Sequence, residues 1–348
     1  MASMVSPDIR AEIGIEYPIW QAGMGPTRTV ELAAAVTNAG GLGTVSQGGV
    51  NLSKTEARSH TRTHLRETVE LTDGPIAMNV PVGNLDSPID DIGARESYLM
   101  EALRLKQEDD AIADQLKVVI TSYGSPERRI DDINAVKEAT GDLLHFHKVA
   151  KVKHAQKVES MGVDGVIAAG YEMGGHTHPE SDAVTTFTLV PNVVEAVDIP
   201  VIAAGGMKDG KSLGAALAMG AQGISLGTRF LTAKEMPIHQ GYKDHIIASE
   251  EGQDSVVAPE KTPHRVIDSP GSRAHAEFAE EASIGEIREA EVDRVATAQT
   301  SGNVEKGMVA AGQIGTYIED EPTVAEIIDQ IMTEARQRHA TVGDQYFS

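Results

Sequence analysis

One unit recurs eight times along this chain: a short apolar, β-branched run that ends in glycine or a polar residue, then an amphipathic stretch of helical period. The runs cover residues 18–21, 41–45, 76–80, 118–122, 143–149, 165–169, 201–204 and 223–226. Runs this apolar belong to strands buried on both faces, as in a parallel sheet. The stretches between them carry helix punctuation. Thr29 is placed to cap 30–38, which stops at Gly40-Gly41, and Ser125 stands before Pro126 as a cap before a first helical position. Residues 152–161 end at Gly162, and 211–219 end at Gly220. Eight successive strand–helix units predict an α/β chain closed as a (β/α)8 TIM barrel. An open, doubly wound sheet is the alternative. It would carry a GxGxxG turn after an early strand, and neither that nor a Walker A loop occurs.

The eighth run ends at Leu226, whereas the next strong amphipathic pattern covers 323–338. The roughly 95 residues between are too many for one loop. Residues 235–299 are charged, contain histidines and have weak periodicity, so a helical insertion is expected there. An insertion after the eighth strand lies at the C-terminal face of a barrel and can cover its active site. The expected organisation is therefore a barrel from 10–234 and 300–340, with 235–299 as an inserted helical lid. A Gly-containing stretch, 302–318, leads back to the closing helix.

Charge and composition narrow the function. Lys and Arg total 30 against 52 Asp and Glu, a net charge of −22. That balance argues against nucleic acid, which needs a basic footprint, and against anionic membranes. It fits either an acidic solvated surface or a high-salt cytoplasm. The chain has no cysteine, which excludes disulfides, thiolate nucleophiles and Cys-ligated metals. No apolar run approaches the ~20 residues needed to span a bilayer, and Met1 to Arg10 lacks the basic and apolar regions of a signal peptide. A soluble cytoplasmic enzyme with a small-molecule substrate is expected, a homodimer being an open option.

Two small-residue turns stand out. Ala203-Ala204-Gly205-Gly206 follows the seventh strand, and Gly227-Thr228-Arg229 follows the eighth. In barrels these positions hold phosphate, because glycine lets backbone N–H groups approach the anion; tight turns alone would be the plainer use. A phosphorylated ligand is expected. After the sixth strand comes Gly170-Tyr171-Glu172-Met173-Gly174-Gly175-His176-Thr177-His178. A histidine on a Gly-Gly turn at the catalytic face suits acid or base work, against the plain reading of a loop histidine. Glu172, His176 and His178 are also an alternative metal set, although no metal site is expected overall. His145 and His147 share one face of the fifth strand and either bind metal or simply pack. Lys148 follows them, where its cation could meet a ligand's negative charge or form a Schiff base. The turn Gln21-Ala22-Gly23-Met24-Gly25 and Asn79 also reach the catalytic face, leaving room for a flat ring and an amide for its polar edge.

Taken together, Pro18-Ile19-Trp20-Gln21-Ala22-Gly23-Met24, the following 31–43 segment, the Gly174-Gly175-His176 turn, Ala203-Ala204-Gly205-Gly206, Gly227-Thr228-Arg229-Phe230-Leu231 and Ala311-Gly312-Gln313 resemble the nitronate monooxygenase (2-nitropropane dioxygenase) family. Its relatives include NADH:quinone reductases and flavin-type enoyl-ACP reductases. The resemblance runs over about 10–340 and implies an FMN-bound TIM barrel. It implies that Gly23, Met24, Asn79 and Lys148 lie along the flavin. Gly174, Gly175, Ala204, Gly205, Gly206, Gly227 and Thr228 then surround its phosphate or ring, Gln313 lies near the isoalloxazine, and His176 is the catalytic histidine. Gly25-Pro26-Thr27 and His178-Pro179-Glu180 depart from the family pattern. Nitronate oxidation with O2 is the expected activity. The alternative is an NAD(P)H-dependent reductase of quinones or enoyl thioesters, with NAD(P)H as a transient donor. Outside redox chemistry, a phosphosugar isomerase or aldolase, or a flavin-binding protein without catalysis, would use the same phosphate turns.

Overall fold

The computed structural model describes residues 8–47, 52–83, 89–179 and 182–347, with only the backbone for 89–94; Met1–Pro7 and Glu180 lie outside this set. The eight expected runs are eight parallel strands: β1 (Ile19–Gln21), β2 (Gly43–Ser46), β3 (Ile76–Gly83), β4 (Leu116–Gly124), β5 (Leu144–Val149), β6 (Gly165–Ala169), β8 (Val201–Ala204) and β9 (Gly223–Leu226). A two-residue strand, β7 (Gly175–His176), falls between the sixth and seventh barrel strands. The sheet order is β1-β9-β8-β6-β5-β4-β3-β2, and a parallel bridge from Trp20 to Leu42 brings its two ends together. The fold is a TIM barrel.

Alternation along each strand decides what faces the ligand side. Trp20, Ala77, Ile120, Phe146, Ile167, Ala169, Ile202 and Ala204 form one buried cluster inside the barrel. Trp20 and Phe146 meet there at 4.8 Å between ring centroids, a contact worth about 0.5–1.5 kcal/mol beyond area burial. Ile19, Val166, Ala203 and Ile224 point the other way, into the layer between sheet and helices. By the same alternation Asn79, Ser122, Lys148 and Ala204 form the uppermost interior layer, and His145 and His147 face the helices.

Helix punctuation acts largely as expected. The closing helix runs Val324–Tyr346, longer than its strongest pattern, and begins with a capping box between Thr323 and Glu326, worth ~1 kcal/mol. Ser125 caps a single 3-10 turn, Pro126–Arg128. Thr29 differs: it precedes the helix Val30–Asn38 without capping it. Its hydroxyl instead donates to the Thr44 carbonyl and accepts from Ser46 N–H at 2.9 Å, because it is buried beside β2, whose edge needs partners more than the helix does.

The insertion expected to be helical also carries strands. Residues 235–299 do contain helices Gln240–Ile247, Pro270–Glu281 and most of Ile284–Ser301. They also contain a hairpin of β10 (Asp254–Val257) and β11 (His264–Ile267). β11 pairs antiparallel with β7 on one end and with β12 (Val309–Ala310) along the other, making a small second sheet at the catalytic face. The Gly174-Gly175-His176 segment is thus no free turn: its last two residues are sheet-bound.

Candidate active site

The interior layer at the strand ends is lined by polar groups open to the space above. Asn79 donates to the Ile120 carbonyl at 3.2 Å and contacts Ser122 Oγ at 3.4 Å, which fixes its amide. Lys148 stands in the same layer. Burial brings its amine down to about 8, and among the described residues no carboxylate pairs with it. His178, pushed down to about 4 by burial with Lys148 and His154 adding to the effect, stands on that side as a neutral ring.

The glycines divide into two kinds. A Cβ on Gly23 would fall 2.1 Å from Asn79 Oδ1, and one on Gly174 would fall 2.4 Å from the Gly312 nitrogen. Gly205 has φ +93°, and its Cβ would meet Thr186 Oγ1 at 2.8 Å. At these three positions the protein's own packing demands glycine. By contrast, a Cβ on Gly227 would meet only Ala22 at 3.6 Å, and one on Gly206 only Glu172 at 3.7 Å, although φ +71° already favours glycine at Gly206. Their missing side chains leave space that the protein does not fill, as a bound anion approached by backbone N–H groups requires.

The late Ala311-Gly312-Gln313 run closes this rim. Gln313 N–H donates to the Glu172 carbonyl at 3.0 Å, and Gly312 N–H donates to Thr228 Oγ1 at 2.9 Å. The structure thus brings Gly174, Thr228 and Gln313 together around one rim, with Met24 fixed nearby by its N–H to Ser46 Oγ at 2.7 Å.

His176 faces the mouth with 46% of its side chain open, while Glu291 behind it is 2% open. Its Nε2 lies 2.9 Å from Glu291 Oε1, and His264 Nδ1 hydrogen-bonds that same oxygen. Burial alone would push the Glu291 carboxyl up, but His264 and His176 outweigh it and hold the group well below the usual range. The protein packed against the His176 ring lowers its imidazole, with Glu291 opposing the change. The Tyr123 ring packs tilted against His176, with centroids 5.3 Å apart, and the Arg95 and Arg288 guanidiniums lie 5.1 Å and 5.7 Å from the Tyr123 centroid.

A metal set of Glu172, His176 and His178 does not assemble. The Glu172 carboxylate is taken by Thr186, accepting from its N–H at 2.9 Å and its hydroxyl at 3.0 Å, at the start of helix Thr186–Ala196. His145 and His147 share the Thr121 hydroxyl at 2.7 Å and 2.8 Å, buried away from the mouth. Sequence reasoning missed His264, Glu291, Tyr123, Arg95 and Arg288. Glu291 sits in a run of mixed charges on helix Ile284–Ser301 that reads as a solvated face, and no local motif marks the others.

The departing Gly25-Pro26-Thr27 turn contains a cis Gly25–Pro26 peptide, and the Thr27 hydroxyl hydrogen-bonds the Gln299 side chain. The unusual turn therefore docks on the same inserted helix that carries Glu291. Among the described residues no helix is long and apolar enough to cross a membrane.

With this geometry in view, the family model described as nitronate monooxygenase matches residues 7–334. The (3aS,4S,5R,7aS)-5-hydroxy-7a-methyl-1-oxo-octahydro-1H-indene-4-carboxyl-CoA dehydrogenase of Rhodococcus jostii is 32% identical, the match covering 95% of this chain and 96% of that one. A probable nitronate monooxygenase of Staphylococcus saprophyticus is 34% identical over 73% of this chain and 75% of its own. Among solved structures, FabK from Thermotoga maritima superposes with a TM-score of 0.82 at 30% identity, covering 97% of this chain and 98% of its own.

Proposed function

The chain belongs to the nitronate monooxygenase family, and within it we propose an FMN-dependent oxidoreductase that oxidises alkyl nitronates with O2. The observation that carries this reading is the His176 imidazole, held by Glu291 on the same C-terminal barrel face where Gly206 and Gly227 leave unfilled space. The residues present fit the cofactor. Gly205, Gly206, Gly227 and Thr228 would hold its phosphate, with Gly174, Gly175 and Ala204 alongside. Gly23, Met24, Asn79 and Lys148 would line the ring, and Gln313 would approach its edge. The chemistry such a group supplies is electron transfer between substrate and dioxygen.

The protein's part is orientation and proton handling. The Lys148 amine and Asn79 amide offer donors to the polar edge of a flat ring. An ionised Glu291 oxygen can only accept, so His176 presents Nε2–H to it and keeps Nδ1 bare. A nitronate is already deprotonated at carbon, so a protonated Nδ1 would steady its charge, and a bare Nδ1 would take the α-proton only from the neutral nitro compound. The segment 235–299 shapes the entrance and, through Glu291 and Gln299, touches both His176 and the turn after β1.

A second reading, an NAD(P)H-linked oxidoreductase of CoA or related thioesters, is favoured by one observation: the CoA-ester dehydrogenase relative matches nearly the whole chain, and the staphylococcal nitronate monooxygenase a shorter part. Without a dinucleotide fingerprint, the nicotinamide would bind transiently in the substrate cavity. The test is anaerobic mixing of the flavin-loaded protein with propionate 3-nitronate, and separately with NADH or NADPH. Bleaching of the flavin by the nitronate supports the first reading. Bleaching by a nicotinamide alone replaces it with the second, and a colourless protein that cannot be reconstituted with FMN overturns both.

A further inference from the structure

Glu291 is a buried carboxylate on a helix outside the barrel's strand–helix units, and it does nothing for that helix. Its Oε1 serves two imidazoles from two other elements, His176 on β7 and His264 on β11, which are directly opposite each other in register with ring centroids 4.8 Å apart. Its Oε2 and the His264 Nε2 are both buried with no hydrogen-bond partner. Placing a carboxylate 2% open, with one oxygen unsatisfied, is costly unless its partners use the charge.

The geometry points to Glu291 as a positioning residue that, shared between His176 and His264, sets which nitrogen of His176 carries the proton and tunes how readily that ring takes a second one. This rests on the proposed role of His176. A carboxylate has no hydrogen to give, so both rings must donate: His176 through Nε2–H and His264 through Nδ1–H. Nδ1 is then the His176 nitrogen left without a proton. The arrangement is also a three-way competition. Glu291 favours protonation of His176, and any proton held by His264 disfavours it. The other charged or titratable groups around this cluster are Arg95 and Arg288 across the Tyr123 ring, and His275 beside Glu291 and His264 with Arg294 next to it. The same three side chains offer ligand atoms within 4.8 Å of one another, so a metal ion is the competing occupant. Both ring nitrogens are already within hydrogen-bonding range of one oxygen, which favours protons over a cation between them.

Two variants test the inference with opposite signs. Glu291→Gln keeps the shape and removes the charge. Turnover should fall at least ~10-fold, short of the ~10²–10⁴ expected for losing the histidine itself, and the acid limb of the pH–rate profile should move to lower pH. His264→Gln leaves Glu291 serving His176 alone, and the acid limb should move to higher pH. In the double variant with His176→Ala, Glu291→Gln should add no further loss. A merely structural role would lower thermal stability in both variants and leave both limbs in place, and that result would overturn the inference. Limbs that move the same way would overturn it too. So would one tightly held zinc per chain with activity lost to a chelator. If His176→Ala itself retains full turnover, the failure belongs to the proposed function and not to Glu291.

Discussion

Two pairs of histidines in this protein each share a single oxygen, and they are built for opposite ends. His145 and His147 meet at Thr121 Oγ1, sealed between β5 and the helices. His176 and His264 meet at Glu291 Oε1, with His176 opening on the barrel mouth. A hydroxyl gives one hydrogen and accepts others, so the first pair must be arranged head to tail. His147 also hydrogen-bonds the Gly124 backbone, which places its proton there and leaves Nδ1 to accept from Thr121. The Thr121 oxygen then accepts from His145 Nε2–H, and the buried, unpartnered His145 Nδ1 is a bare lone pair. Every proton in that chain has one place and no charge is present. In the second pair a carboxylate makes both rings donors and supplies a charge for a second proton to answer. The same residue type is a packing element in one setting and, in the proposed function, a proton-handling group in the other, and the shared oxygen sets the difference.

The largest expected effect strikes the open pair. His176→Ala should retain FMN, because the phosphate turns and ring-lining residues are elsewhere, while kcat falls ~10²–10⁴-fold, the usual worth of a proton-transfer group. Flavin absorbance and steady-state rates check this on one preparation. A flavin-loaded variant with full turnover would erase the contrast between the pairs.

The sealed pair should instead govern acid stability. Burial, with a smaller opposing contribution from the Gly124 hydrogen bond, brings His147 to about 4 from its ordinary 6.5, and His145 is driven well down for the same first reason. An imidazole depressed in the folded state takes up its proton first in the unfolded chain. Its stabilising contribution is therefore complete above pH ~6.5 and is lost as pH falls towards ~4, on the order of 3 kcal/mol for His147 alone. Urea unfolding at a series of pH values should show stability declining over that window. A flat profile would mean that these rings are not held neutral.

The difference between the pairs also explains what the sequence made legible. The eight barrel strands stood out because a strand buried on both faces must be apolar at every position, as Val201-Ile202-Ala203-Ala204 is. The small-residue turns 203–206 and 227–229 stood out by their place after the last two of those strands. The β10–β11 hairpin did not stand out. Asp254-Ser255-Val256-Val257 and His264-Arg265-Val266-Ile267 mix charge with apolar residues, and β11 finds partners 88 or more positions before it, at β7, and over 40 after it, at β12. Glu291 was invisible for a related reason. On a helix with Glu286, Arg288, Glu289, Asp293 and Arg294 it looks like one more solvated charge, and only the fold turns it inward. His176 stood out by its local motif, whereas Glu291 and His264, which contact or face it, come from a distant segment with none.

The smallest effect is the cleanest separation of the two pairs. Thr121→Val keeps the β-branched shape on β4 and removes only the oxygen that the sealed rings share. His147 Nδ1 would then lack its donor and His145 Nε2–H its acceptor, in a place water does not reach. Stranding these groups should cost about 2 kcal/mol of unfolding free energy, at the scale of unsatisfied buried polar atoms. The side chain points into the helix layer, away from Asn79, Ser122 and Lys148, so kcat and flavin content should hold. Denaturation midpoints and rates measured side by side decide the matter: a stability loss with unchanged turnover keeps the sealed pair structural, and a rate loss at unchanged stability would make it part of the site after all.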